Sequence, residues 1–171
     1  MVFEMKRVFI TVGTTKFDEL ISEIISDKVL NLLQEKGCCQ LTLQIGKGEI
    51  LIDSRKIHEK YGINVEYYPF KFDENSTDIV NADLVIGHAG AGTCIDILTN
   101  QKPSLIVINE NLMNNHQTEL AIEMAAEGYL YYCNVKQIAK SLEHFDFNAL
   151  AKFELSDNVN KFVDCLNKFI Q

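Results

Sequence analysis

The chain has 171 residues, 47% of them apolar and 23% charged, with a formal net charge of -8, which is an ordinary globular composition with material for one buried core. The acidic balance argues against nonspecific nucleic-acid binding, which needs a basic face, and against direct docking on anionic lipid. No stretch reaches the roughly 18 apolar residues of a membrane helix, and Glu4 interrupts the N-terminal run where a secretory signal would stay apolar. The five cysteines include no C-x-x-C spacing and suit a reducing compartment. The expectation is a cytoplasmic chain.

In chain order, short apolar runs alternate with helical patterns. RVFITV (7–12) reads as a buried strand entering GTTKFDEL, where Phe17, Leu20, Ile21, Ile24 and Ile25 recur at helical spacing. Ser26-Asp27 breaks or restarts that helix before Val29 to Glu35. QLTLQI (40–45) is a second strand ending in a Gly46-Lys47-Gly48 turn, and ILIDSRKIHEKYG reads as a loop leading into a short helix. INVEYYPF (63–70) is a third strand stopped by Pro69, with a short polar helix over 73–81. DLVIGH (83–88) is a fourth strand, its near-continuous apolar run suiting a parallel sheet covered on both faces. A helix is expected from Thr93 to about Asn100, then SLIVIN (104–109) as the fifth strand. The helix HQTELAIEMAAEG should stop at Gly128, YLYYC (129–133) is the sixth strand, and VKQIAKSL a short helix. A last amphipathic helix over 157–170 aligns Val159, Phe162, Val163, Leu166, Phe169 and Ile170. The pattern predicts one α/β domain over 1–171, without repeat or linker, its strands joined by right-handed crossovers.

In such sheets ligands bind beyond the carboxyl ends of the strands, which singles out 13–16, 87–93 and 109–117. HAGAGT (88–93) lies between a strand and a helix start. The first N–H groups of a helix lack intrahelical acceptors and carry partial positive charge, so Gly90, Ala91 and Gly92 would give a phosphate clearance and Thr93 a hydroxyl. The plainer reading of the same residues is a tight turn, with Thr93 and Asp96 forming a modified capping box. No G-x-G-x-x-G spacing occurs, so dinucleotide binding is disfavoured. Gly13, Thr14 and Thr15 form a second such turn, or simply cap the first helix. Asn114, Asn115, His116 and Gln117 open a helix with a dense set of donors and acceptors suited to a polyhydroxyl ligand; an exposed helix N-terminus would look the same. No Asp-x-Asp pair and no zinc-like His/Cys spacing is present, so neither metal nor cofactor is expected.

FITVGTTKFDELI, LTLQIGKGEI, ADLVIGHAGAGTCIDIL, KPSLIVINENLMNNHQTELA and EGYLYYC together resemble the donor-binding subunits of two-chain UDP-N-acetylglucosamine transferases of dolichol-linked oligosaccharide synthesis, with a family 28 carboxyl-terminal domain. The resemblance runs from about residue 7 to 133. It implies a Rossmann-like, mostly parallel sheet with helices on both faces, equivalent to the carboxyl-terminal half of a GT-B glycosyltransferase. It further implies inverting transfer of GlcNAc from UDP-GlcNAc to dolichyl-diphosphate-GlcNAc. A membrane-anchored partner subunit would supply the acceptor half at the cytosolic face of the endoplasmic reticulum.

Carried onto this sequence, Gly90 to Thr93 resemble the turn facing the diphosphate, and Asp96 the carboxylate on the ribose. His116 and Gln117 resemble the pair on the sugar hydroxyls, and Gly13 to Thr15 the first loop of the cleft. His88 lies beside the diphosphate turn and is the one candidate catalytic contributor; the base is otherwise unassigned. The final helix either docks on the partner or packs on its own sheet. Rival readings are a subunit of a bacterial two-chain capsule or exopolysaccharide transferase, and a nucleotide-sugar-binding module without catalysis.

Overall fold

The computed structural model describes residues 3–72, 76–111 and 115–154, with backbone alone at 115–117. Six strands, β1 (Arg7–Thr11), β2 (Gln40–Gln44), β3 (Asn64–Tyr68), β4 (Leu84–His88), β5 (Ser104–Ile108) and β6 (Tyr131–Asn134), form one sheet in the order β3-β2-β1-β4-β5-β6. Every pairing is parallel, so the expected mostly parallel sheet is wholly so among the described residues. Among those residues, six α-helices join the strands, α1 (Asp18–Ile24), α2 (Asp27–Glu35), α3 (Ser54–Tyr61), α4 (Thr77–Asn81), α5 (Ala91–Thr99) and α6 (Asn115–Ala126), and a seventh, α7 (Ile138–His144), follows β6.

Alternation along the strands divides the core. Val8 and Ile10 of β1, Leu84 and Ile86 of β4, and Leu105 and Val107 of β5 pack on one face with α1, α2, α3 and α7. Phe9, Val85 and Ile106, between them in sequence, pack on the other face with α4, α5 and α6. All five residues of β4 are buried, as a central parallel strand covered on both sides must be.

Local chemistry sets the helix ends. Ser26 restarts the chain as α2 because its side chain accepts from the Val29 amide at 3.3 Å. Asp53 does the same for α3, accepting from Lys56 at 3.0 Å, and Gly62 ends that helix at φ +70. Gly128 stops α6 at φ +81, and its turn is closed by Tyr129 N–H donating to the Met124 carbonyl at 3.0 Å. That turn delays β6 to Tyr131, two residues later than the apolar run suggested. The polar helix expected from residue 73 begins at Thr77, residues 73–75 lying outside the described set. The expected helix over 157–170 also lies outside the described residues. No helix among the described residues is long and apolar enough to cross a membrane.

One boundary differs in a way that matters. The helix after β4 starts at Ala91 with Gly90 as N-cap, not at Thr93. Thr93 is therefore the third helical residue, and no side chain caps this end. The capping box of Thr93 and Asp96 does not form, because the glycines themselves make the first turn. At the first loop, α1 takes Phe17 as N-cap, again without a side-chain cap, so Thr14 and Thr15 do not cap it.

Candidate functional site

Between β1 and β4 the strand order reverses. The chain leaving β1 turns to the face of α1, and the chain leaving β4 to the face of α5. Diverging loops leave a crevice at such a point. Here it is a cleft of about 420 Å³, lined among others by Thr11, Gly13, Thr14, Gln44, His88, Gly90, Gly92, Thr93 and Asp96. This volume suits a small-molecule site.

The glycines in this cleft have different tasks. A Cβ on Gly13 would lie 2.8 Å from His88 Cε1, and one on Gly90 would lie 2.3 Å from its Nε2. These two glycines form a slot for the imidazole, which ends β4 and is only 8% exposed. Gly87 makes room in the same way for the Thr93 methyl, at 2.9 Å. A Cβ on Gly92 would meet nothing within 4 Å. Of the clearance expected at Gly90, Ala91 and Gly92, only Gly92 faces open space. Ala91 instead packs against the core on the sheet face covered by α4, α5 and α6.

The His88 Nδ1 is buried without a hydrogen-bond partner in the structure. Burial holds the imidazole below the usual histidine range, opposed by the Thr11 carbonyl. Beneath the first loop, Thr11 Oγ1 accepts from the Gly13 amide at 3.0 Å and donates to Gln44 Oε1 at 3.3 Å. Gln44 Nε2 donates in turn to the Gly13 carbonyl at 3.4 Å. Thr14 is exposed at the cleft, whereas the Thr15 hydroxyl donates to the Val12 carbonyl at 2.8 Å.

The first intrahelical amide of α5 is that of Cys94, donating to the Gly90 carbonyl at 3.0 Å. The amides of Ala91, Gly92 and Thr93 precede it and have no intrahelical acceptor. The first turn of α5 also carries no acidic residue, so its positive end is not neutralised from within. One turn on, half-buried Asp96 lines the cleft. Burial pushes its carboxyl upward, opposed by a hydrogen bond from Ser76. Ser76 caps α4 in the left-handed region at φ 47.

The opposite rim was not foreseen from sequence. Tyr68 at the end of β3, Phe70, Lys71 and Phe72 just after it, and Asp78 of α4 line the cleft there. Lys71 Nζ lies 2.6 Å from Asp78 Oδ2 and 5.0 Å from the centroid of the Tyr68 ring, and the Tyr68 hydroxyl donates to the same carboxylate. Lys71 is the one lysine or arginine among the described lining residues. The signal available was the aromatic run YYPFKF, with Phe70 52% and Phe72 82% exposed although apolar. Of the remaining expected residues, Asn114 lies outside the described set. His116 and Gln117 fall in the first turn of α6, which begins at Asn115 beyond the carboxyl end of β5.

Comparison with known proteins gives this arrangement relatives. The chain is 46% identical over 132 residues to the human protein named UDP-N-acetylglucosamine transferase subunit ALG13, covering 77% of this chain and 11% of the human one. It is 29% identical over 160 residues to the Saccharomyces cerevisiae protein of that name, covering 77% and 79%. The chain thus spans about a tenth of its mammalian relatives and most of the yeast one. Its fold matches a solution structure of ALG13 with TM-score 0.69 at 22% identity, covering all of both chains. It matches Acinetobacter baumannii MurG with TM-score 0.62 at 16% identity, covering 99% of this chain and 50% of that one. The model of the glycosyltransferase family 28 C-terminal domain matches residues 7–169, and the chain belongs to that family.

Proposed function

We propose that the chain is the donor-binding part of an inverting glycosyltransferase that moves GlcNAc from UDP-GlcNAc to a lipid-linked GlcNAc acceptor. The observation that carries this reading is the uncapped start of α5 opening through Gly92 into the cleft. It is supported by membership of a glycosyltransferase family and by relatives named as UDP-N-acetylglucosamine transferase subunits. A diphosphate lies against the amides of residues 91–93, Asp96 meets the ribose, and His116 and Gln117 meet the sugar. The acceptor 4-hydroxyl oxygen bonds to the anomeric carbon as the bond to the β-phosphate oxygen breaks. Its proton passes to a base on the acceptor side, and UDP leaves with the bonding pair. Charge growing on the β-phosphate is met by the amide donors, each such donor being worth about 3 kcal/mol, or about a hundredfold in rate.

His88 in this scheme is structural. Buried, neutral and held between Gly13 and Gly90, it keeps the two turns in register. The acceptor half comes from a second, membrane-anchored polypeptide, which recruits this chain to the cytosolic face of the endoplasmic reticulum.

The test is transfer of radiolabelled GlcNAc from UDP-GlcNAc to lipid-linked GlcNAc by the chain co-expressed with that partner, compared with Gly92→Glu. Transfer falling about a hundredfold, with UDP binding lost, supports the reading. Wild-type transfer by Gly92→Glu overturns the assigned site, and donor binding without transfer by the wild-type pair assigns a sensor instead.

A further inference from the structure

We propose that Glu19 and Asn134 are positioning residues that pin the loop leaving β5 and thereby set where α6 presents its first turn to the donor sugar. This rests on the functional reading above, which places His116 and Gln117 on that sugar. Three consecutive residues carry the inference. Asn109 Oδ1 accepts from the Asn111 amide at 3.1 Å, closing a local turn. Asn111 Nδ2 donates to Glu19 Oε1 of α1 at 3.0 Å, and Glu110 Oε1 accepts from Asn134 Nδ2 at the end of β6 at 3.3 Å. Side chains therefore tie the described part of the loop to α1 and to the end of β6.

The orientation of Asn134 is itself fixed. Its Oδ1 accepts from the Gln137 amide at 3.1 Å, while Gln137 Oε1 accepts from the Asn134 amide at 3.2 Å, a reciprocal capping box. With the oxygen so engaged, only Nδ2 is left for Glu110. Both Glu110 and Asn111 are exposed, and exposed pairs add little to stability. Their geometry acts on position instead. α6 begins at Asn115, four residues after Asn111, and its described side chains reach the core from Leu120 onward, through Leu120, Ala121 and Met124, so its first turn precedes those anchors and follows the loop.

The variants separate positioning from folding. Asn134→Asp keeps a capping oxygen but replaces the donor with a carboxylate facing Glu110. Glu19→Ala removes the acceptor for Asn111, and Glu19→Gln restores one. In the transferase pair, Asn134→Asp and Glu19→Ala should raise the KM for UDP-GlcNAc about fivefold, leave inhibition by UDP and the thermal midpoint unchanged, and speed hydrogen exchange over residues 109–120. Glu19→Gln should behave as wild type.

An unchanged KM, a loss of UDP affinity matching the loss of donor affinity, or failure of Glu19→Gln to rescue would overturn the proposal. If the wild-type pair binds no UDP-GlcNAc, the functional reading fails and the sugar-positioning role falls with it. Hydrogen exchange still decides, independently, whether the two ties hold the loop.

Discussion

Alanine at Gly90 and alanine at Gly92 should act in opposite directions, although only Ala91 separates the two glycines. At Gly90 the backbone is ordinary, φ -78 and ψ 136, so a side chain adds no conformational strain. The added Cβ would nevertheless lie 2.3 Å from His88 Nε2 and 2.7 Å from Cε1. The ring has little room to retreat, because Gly13 also approaches its Cε1 and the residue is 8% exposed. Overpacking of a confined site costs about 2 kcal/mol, which lowers the thermal midpoint of a domain this size by about 6 °C. At Gly92 the added Cβ meets nothing within 4 Å, and alanine is the better residue inside a helix by about 0.5–1 kcal/mol. Gly92→Ala should therefore raise the midpoint slightly while weakening UDP binding, since its methyl group enters the space assigned to the diphosphate. The assay is a double-mutant cycle by urea unfolding with His88→Ala, which empties the slot. In that background the cost of Gly90→Ala should fall by at least about 1.5 kcal/mol. An equal cost with and without the imidazole, or a cost below about 0.5 kcal/mol, would refute the assignment of Gly90 to the histidine slot.

Other outcomes follow from the same geometry. Gly46→Ala should leave little folded protein on expression at 37 °C: Gly46 stands at φ +58 and its Cβ would fall 2.1 Å from the Thr15 backbone oxygen, a clash no rotamer relieves, costing about 3 kcal/mol or more. His88 also predicts a pH dependence. Its folded-state pKa lies below the unfolded value of 6.5, so below that pH the unfolded chain binds more protons and stability falls. Unfolding free energies measured from pH 7.5 to 5 should drop more steeply for wild type than for His88→Gln; parallel curves would contradict a buried neutral imidazole. Burial pushes the Cys38 and Cys133 thiols up to about 12 and about 11, while Cys39 is exposed. Brief alkylation of the native protein at pH 8 should therefore modify Cys39 and spare the other two by peptide mapping.

The strands were legible because burial on both faces of a parallel sheet leaves nearly unbroken apolar runs, as in DLVIGH, and local chemistry exposed the helix ends at Ser26 and Gly128. Two of the three segments that line the cleft were also legible, since strand-to-helix turns rich in glycine stand out in any sequence. The use of each glycine was not. Gly90 and Gly92 are indistinguishable as letters, yet one answers to an imidazole two residues earlier in the chain and the other to open space. The start of α5 differs from the sequence pattern for the same reason: Thr93 has the chemistry of a cap, yet it is the third helical residue and its methyl packs at Gly87.

The rim after β3 was invisible because Lys71, Ser76 and Asp78 come to line one cleft with Asp96 and the first loop only through the strand order β3-β2-β1-β4. The ties from Glu19 and Asn134 to the loop at 109–111 likewise span 92 and 24 residues. Local periodicity and turn chemistry act over a few residues, so the sequence by itself determined the elements, their parallel arrangement and the two glycine-rich loops that line the cleft. Which side chains surround that place depends on contacts between segments remote in the chain, and only the packed sheet decides them.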